Sequence, residues 1–267
     1  MERKSVKVKD VTLSYLDEGK GQPLVLLHGL CFTSSIWEKV IPRLSKEYRV
    51  IAPDLRGHGQ SSVPAPPYST TQMADDIIGL LDALEIKKAA VFGHSLGGYI
   101  TLAIAEKYPQ RLSALSLVHS LSEPDPEEKK QVRQNNINII QEKGMATFIE
   151  GFYPVLFAPE NLDKLTEDVN FAKELGLHTS PKGAIGSLNA IKERPDRTPV
   201  LQNMKIPVLL IAGDNDVIVP QEKTFSVEGD NVTSVVIKQA GHTSMLEAPE
   251  ELTIAITNFM KELKNLS

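Results

Sequence analysis

Ser95 stands in the hexapeptide GHSLGG, residues 93–98, with a glycine two positions before it and another two after. Glycine loses much backbone entropy on folding and buries no side chain, so three in six residues need a reason. The apolar run KAAVFGH reads as a strand and LGGYITLAIAEK as a helix, so the serine sits where one becomes the other. A sharp strand-to-helix turn would hold residue 95 at its tip, and side chains at 93 and 97 would collide. Ser95 Oγ would stand above the carboxyl ends of the strands. The N–H of Leu96, at a helix start, would point toward an oxyanion forming beside the serine.

A serine hydroxyl needs a base to take its proton. The chain has six histidines. His28 ends a strand and reads as structural, and His58 lies in the turn DLRGHGQSS. His94 adjoins the serine but points to the opposite side of the turn. His119, at a strand end, is a candidate for the pocket wall, and His178 falls in a solvated helical stretch. His242 in QAGHTSMLEAPE follows the last strand on a loop that can carry an imidazole to Ser95, and it is the expected base. The orienting carboxylate comes from GDNDVIVP, where Asp214 and Asp216 both follow a strand. Spacing alone leaves both open.

The elements around these residues alternate strand and helix. PLVLLHG, YRVIAPD, KAAVFGHS, LSALSLVHS, IPVLLIAGD and VTSVVIK read as strands after an opening antiparallel pair in SVKVKDVTLSYLDEG. That pattern predicts an α/β fold with a mostly parallel central sheet of about eight strands, flanked by helices. STTQMADDIIGLLDALEI predicts a helix capped by Ser69 with Gln72, and 249–265 a closing helix. Ile36, Trp37, Val40, Ile41 and Leu44 follow helical spacing, but Pro42 interrupts them. The alternation breaks over 121–198, which predicts a helical cap of three or four helices inserted after the sixth strand. The core is then 1–120 with 199–267. One cap helix is expected to start at Asp125 and Pro126 and stop at Gly144, another to start at Ser180 and Pro181.

Composition narrows the function. Of 267 residues, 41% are apolar and 24% charged, which suits a globular chain with a sizeable core. A net charge of −5 argues against a general nucleic-acid binder. The single cysteine, Cys31, rules out an intramolecular disulfide. No apolar segment is long enough to span a bilayer, and MERKSVKVKD lacks the apolar stretch of a secretory signal, so a cytoplasmic location is expected. No histidine–carboxylate spacing suggests a metal site, and no cofactor is expected.

The segments LLHGL, APDLRGHGQS, GHSLGG, GDNDVIVP and AGHTSMLEAPE, in this order, make nearly the whole chain resemble the α/β-hydrolases. Within them it is similar to the esterase, enol-lactonase and cofactor-free haloperoxidase-like group. The resemblance implies a Ser95, Asp216, His242 triad, because Gly213, Asp216 and Pro220 match the family's spacing for the acid. It also implies Leu30 N–H as a second oxyanion donor beside Leu96. The implied activity is cleavage of a small-molecule carboxylic ester through an acyl-enzyme. Lactone opening, perhydrolysis by the same residues and a non-turnover ligand receptor are the alternatives. In the cap, Phe148, Phe152, Tyr153 and Phe157 are candidates for an apolar pocket wall, or else the cap's own core. Arg194 and Arg197 in KERPDR are candidates to recognise a carboxylate, with surface salt bridges the favoured reading. Cys31, next to Leu30, is expected to expose the enzyme to bulky thiol reagents.

Overall fold

The structure, a computed structural model, describes residues 1–266. Its centre is an eight-stranded sheet: β1 (Arg3–Val8), β2 (Val11–Glu18), β3 (Pro23–Leu27), β4 (Arg49–Pro53), β5 (Ala89–His94), β6 (Leu112–Val118), β7 (Val208–Gly213) and β8 (Val232–Ile237). Their order is β1-β2-β4-β3-β5-β6-β7-β8. β2 pairs antiparallel with β1 and β4; all other pairs are parallel. β5 and β7 are buried along their whole length, which is why they read as unbroken apolar runs.

The register brings the working ends of the strands together. Leu27 lies opposite Gly93, His94 opposite Val118, Val118 opposite Ile211, and Gly213 opposite Ile237. The loops that follow β3, β5, β6, β7 and β8 therefore leave the sheet along one edge. Open α/β sheets carry their chemistry at that edge.

The helix predicted from Ser69 runs Thr70–Ala83, and Ser69 Oγ accepts the Gln72 N–H at 3.0 Å. Its stripe of Met73, Ile77, Leu80 and Leu81 is buried. Residues 34–44 split into a 3₁₀ turn, Ser34–Trp37, and a short helix, Ile41–Leu44. Pro42 falls in the first turn of the latter, where an N–H would have no helical partner.

Between β6 and β7 the chain runs through helices Glu127–Phe152, Thr166–Leu177 and Pro181–Lys192, with short helical segments at Asn161–Lys164 and Thr198–Gln202. One expectation here is corrected: Asp125 does not cap the first helix; its buried carboxylate accepts from Arg133 Nε at 3.1 Å and pairs with Arg194 Nη1 at 2.8 Å. The stop expected at Gly144 is present: Gly144 takes φ 82° and ψ 173°, outside helical geometry, so the stretch is two helices that meet at this glycine, the second ending at Phe152. No helix among the described residues is long and apolar enough to cross a membrane.

Candidate active site

Ser95 occupies a strained turn between β5 and the helix Leu96–Lys107, with φ 50° and ψ −113°. The backbone holds it from three sides: Ser95 N donates to Val118 O at 3.0 Å, and Gly98 N and Ser120 Oγ each donate to Ser95 O at 2.8 Å. A Cβ on Gly93 would meet the carbonyl of Gly97 at 2.2 Å, and one on Gly97 would meet Leu27 O at 2.6 Å. The glycines are thus required by close backbone approach on both sides of the turn.

His242 and Asp216 meet from the loops after β8 and β7. His242 Nδ1 lies 2.8 Å from Asp216 Oδ2, and the carboxylate accepts, so Nδ1 carries the proton and Nε2 keeps its lone pair. Asp216 Oδ1 accepts the N–H groups of Ile218 and Val219, both at 2.9 Å. Burial works to raise the Asp216 carboxyl, but the facing His242 and hydrogen bonds from His119 and His242 overcome it and hold the group well below the usual carboxylate range. Asp214 stays outside this network. Its Oδ1 accepts Asn215 Nδ2 at 3.1 Å and the Ala240 N–H at 3.4 Å, the contacts of a turn residue.

The loop carrying His242 is clamped by a residue that the sequence reading passed over. Glu247 Oε2 accepts Gly241 N–H at 2.9 Å, Thr243 N–H at 3.2 Å and Thr243 Oγ1–H at 3.0 Å. Its Oε1 accepts Ala158 N–H at 2.7 Å and Asn161 Nδ2 at 3.0 Å, both from the insertion. His242 N donates to Leu156 O at 2.8 Å. His94 supports the same loop from behind, donating Nε2–H to His242 O at 2.8 Å. An acidic residue five positions after His242, in AGHTSMLEAPE, was the visible signal.

The loop after β3 is held by two more histidines. His28 Nε2 accepts Leu55 N–H at 2.8 Å, and His58 Nε2 accepts Cys31 N–H at 3.2 Å. Burial, first of all, pushes His28 down to about 4 and His58 down to about 3, so both are neutral in the fold. In the unfolded chain each titrates near about 6.5. The unfolded state therefore binds more protons between that value and the folded ones. Their contribution is whole above about pH 6.5 and is lost as pH falls toward 3–4. The urea midpoint is expected to drop steadily from pH 7 to pH 4, and less steeply in His58→Gln; equal slopes in the two proteins would contradict this.

Tyr153 also belongs to this loop's support, since its hydroxyl donates to Cys31 O at 2.6 Å. Cys31 itself is fully buried, and burial pushes its thiol far above the ordinary range. The expected sensitivity to thiol reagents is therefore corrected: a buried, protonated thiol is a poor nucleophile. The folded protein is expected to leave a chromogenic disulfide reagent unreacted over the time in which the denatured protein releases one equivalent.

A cavity of about 270 Å³ opens beside Ser95, with Leu30, Phe152 and His242 also in its wall. Leu121, Ile191, Ile218 and Val219 add apolar groups to the wall, and its charged part mixes Lys129, Arg133, Arg194 and Lys223 with Glu123, Asp125 and Glu222; Arg133 and Arg194 pair with Asp125, and Lys223 with Glu123. Of the five residues expected to face a substrate, Phe152 alone lies in this wall. Phe148 stacks on Phe152 with ring centroids 5.1 Å apart, behind it. Tyr153 and Phe157 are buried in the core, and His119 is fully buried against Asp216. The insertion spends these rings on its own packing and on bracing the loops. The arginines differ from expectation too. Arg194 is buried, its guanidinium 4.1 Å from the Tyr99 ring centre, and buried Arg197 binds Glu106, Thr70 and Thr71.

His119, Asp216 and His242 bring three metal-capable donors within 4.8 Å of one another. Both Nδ1 atoms hold protons that bind Asp216, and a protonated nitrogen has no lone pair for a metal. As built, the cluster is a hydrogen-bond network.

A doubly wound sheet, a serine on a strained turn after β5 and a histidine–aspartate pair from the loops after β8 and β7 define the class. The alpha/beta hydrolase fold family matches residues 22–249, and the chain belongs to it as a hydrolase. Among curated proteins it is 29% identical to 3-oxoadipate enol-lactonase 2 of Acinetobacter baylyi, over 96% of each chain. It is 28% identical to 2-(acetamidomethylene)succinate hydrolase of Mesorhizobium japonicum, over 96% of this chain and 94% of that one. Among solved structures, a thermophilic esterase from Thermogutta terrifontis superposes with a TM-score of 0.94 at 30% identity, covering 98% of this chain and 99% of its own.

Proposed function

We propose that this hydrolase cleaves carboxylic esters through an acyl-enzyme on Ser95, with His242 as base and Asp216 as its orienting acid. The observation that carries the reading is the 2.8 Å contact between His242 Nδ1 and Asp216 Oδ2 beside a cavity walled by both His242 and Ser95. With Nδ1 protonated, Nε2 takes the Ser95 proton as Oγ bonds to the ester carbonyl carbon. The carbonyl electron pair moves onto oxygen, where the N–H groups of Leu30 and Leu96 receive it. The pair returns, the C–O bond to the alcohol breaks, and His242 gives the leaving oxygen its proton. Water then repeats these steps on the acyl-enzyme and frees the acid. Peroxide in place of water would turn the same cycle into perhydrolysis.

Lactone opening is the second reading. What favours it is the Acinetobacter relative, which is named an enol-lactonase and is similar over 96% of each chain. A panel of p-nitrophenyl esters of increasing acyl length, run beside neutral and carboxylated lactones, separates the two. Sustained turnover of the short esters is expected, falling with chain length as the acyl group outgrows the cavity. Lactone turnover without ester turnover would favour the second reading, and turnover of neither class would overturn both.

A further inference from the structure

His119 is the feature that this reaction scheme leaves unused. It follows β6 at φ 49°, fully buried, and its N–H is held by Ile211 O at 2.8 Å. Its Nδ1 lies 3.1 Å from Asp216 Oδ2, the same oxygen that accepts from His242. Its Nε2 lies 2.7 Å from Ser244 Oγ. The carboxylate can only accept, so His119 Nδ1 carries the proton and Nε2 accepts from the Ser244 hydroxyl. One carboxylate oxygen thus receives two imidazole N–H groups, while the other receives two backbone N–H groups.

We propose that His119 is a positioning residue for the hydrolytic reaction, which sets the orientation of Asp216 and limits the negative charge that Asp216 presents to His242. This rests on the triad reading above. The second imidazole N–H holds the same carboxylate oxygen that His242 binds and so restricts rotation of the carboxylate. It also draws charge from Oδ2, because a donated N–H stabilises the carboxylate and weakens its hold on a protonated His242. Ser244, at the start of the short helix that ends in Glu247, anchors the other ring nitrogen of His119, its hydroxyl donating to Nε2. The other titratable groups here are His94, with its ring centre 6.0 Å from that of His119 and 5.0 Å from that of His242, and Glu247, which binds the His242 loop. Asp214 faces the neighbouring Ala240. None of these three donates to Asp216.

Two isosteric variants divide the roles of the ring. Asparagine sets its amide nitrogen where Nδ1 stood and tolerates positive φ, so His119→Asn keeps the donor to Asp216 and loses the link to Ser244. Glutamine sets its amide near Nε2, so His119→Gln keeps the link to Ser244 and loses the donor. For His119→Gln we expect kcat to fall about tenfold, the scale of one lost hydrogen bond to a charged group, with KM little changed. The acid limb of its kcat/KM profile should move up by about half to one pH unit. His119→Asn should keep both parameters near the parent values. Melting curves on both variants identify any general loss of fold. If Asn is the damaged variant, or if both keep the parent's limb and kcat, the proposal is overturned; if Gln does not fold, the Asn variant still decides it by keeping or losing the parent's limb. His242→Ala in the same assay tests the triad separately. Full activity there would remove the triad reading itself, whereas its loss together with parent-like His119→Gln would remove only the role of His119.

Discussion

Ser95→Ala is expected to lose activity by about 10⁴-fold or more in kcat, on the scale seen when a serine nucleophile is removed from such a triad. The change should leave the fold intact. The hydrogen bonds that hold residue 95 in the turn are made by its backbone: N to Val118 O, and O from Gly98 N, Tyr99 N and Ser120 Oγ. Alanine keeps all four and carries the same strain at φ 50°. Residual hydrolysis above the uncatalysed rate is expected from the donors at residues 30 and 96. Measuring kcat and melting temperature on one purified sample checks both halves, and parent-like turnover would remove Ser95 from the mechanism.

Asp216→Asn and Asp214→Asn should separate widely. Four N–H groups converge on Asp216: two imidazoles on Oδ2 and two backbone amides on Oδ1. An asparagine must turn its NH₂ toward one of these pairs, so donor faces donor whichever way it lies. The imidazoles must change tautomer or the loop at Ile218 and Val219 must open. An altered tautomer of the base costs about 10⁴ in kcat in a well-studied serine protease, and a similar loss is expected here. Sequence alone suggests little effect on folding. The saturated carboxylate adds an expected destabilisation of about 1–3 kcal/mol, the penalty for a buried donor left unmatched. Asp214→Asn keeps an acceptor for Asn215 and Ala240 and should stay near the parent in both measurements. Reversed results would move the acid two residues upstream.

Much of this architecture is legible in local pattern. The helix at Thr70–Ala83 declares itself through its Ser69 cap and its apolar stripe, and β5 and β7 through unbroken apolar runs. Where local signals misled, a distant partner had intervened. Asp125 has the residue type of a helix cap, but Arg133 and Arg194 draw it into a buried pair. Tyr153 looks like a pocket aromatic, yet its hydroxyl is spent on Cys31 O.

The sequence by itself determined the order of the elements, the turn at Ser95 and the short lists of candidate bases and acids. Those follow from periodicity, glycine spacing and residue type, all within about ten residues of each other. The tertiary structure alone decided which side chains meet. It brought Asp216, the acid that the family resemblance implied and spacing alone left open, to His242, set His119 on the same oxygen from 97 residues away, and made Glu247 the clamp of the His242 loop. The physical reason lies in the sheet. Parallel register aligns the ends of β5, β6, β7 and β8, and loops distant in sequence then share one buried edge. There each donor must find an acceptor or remain unsatisfied, and no local pattern records which acceptor it finds.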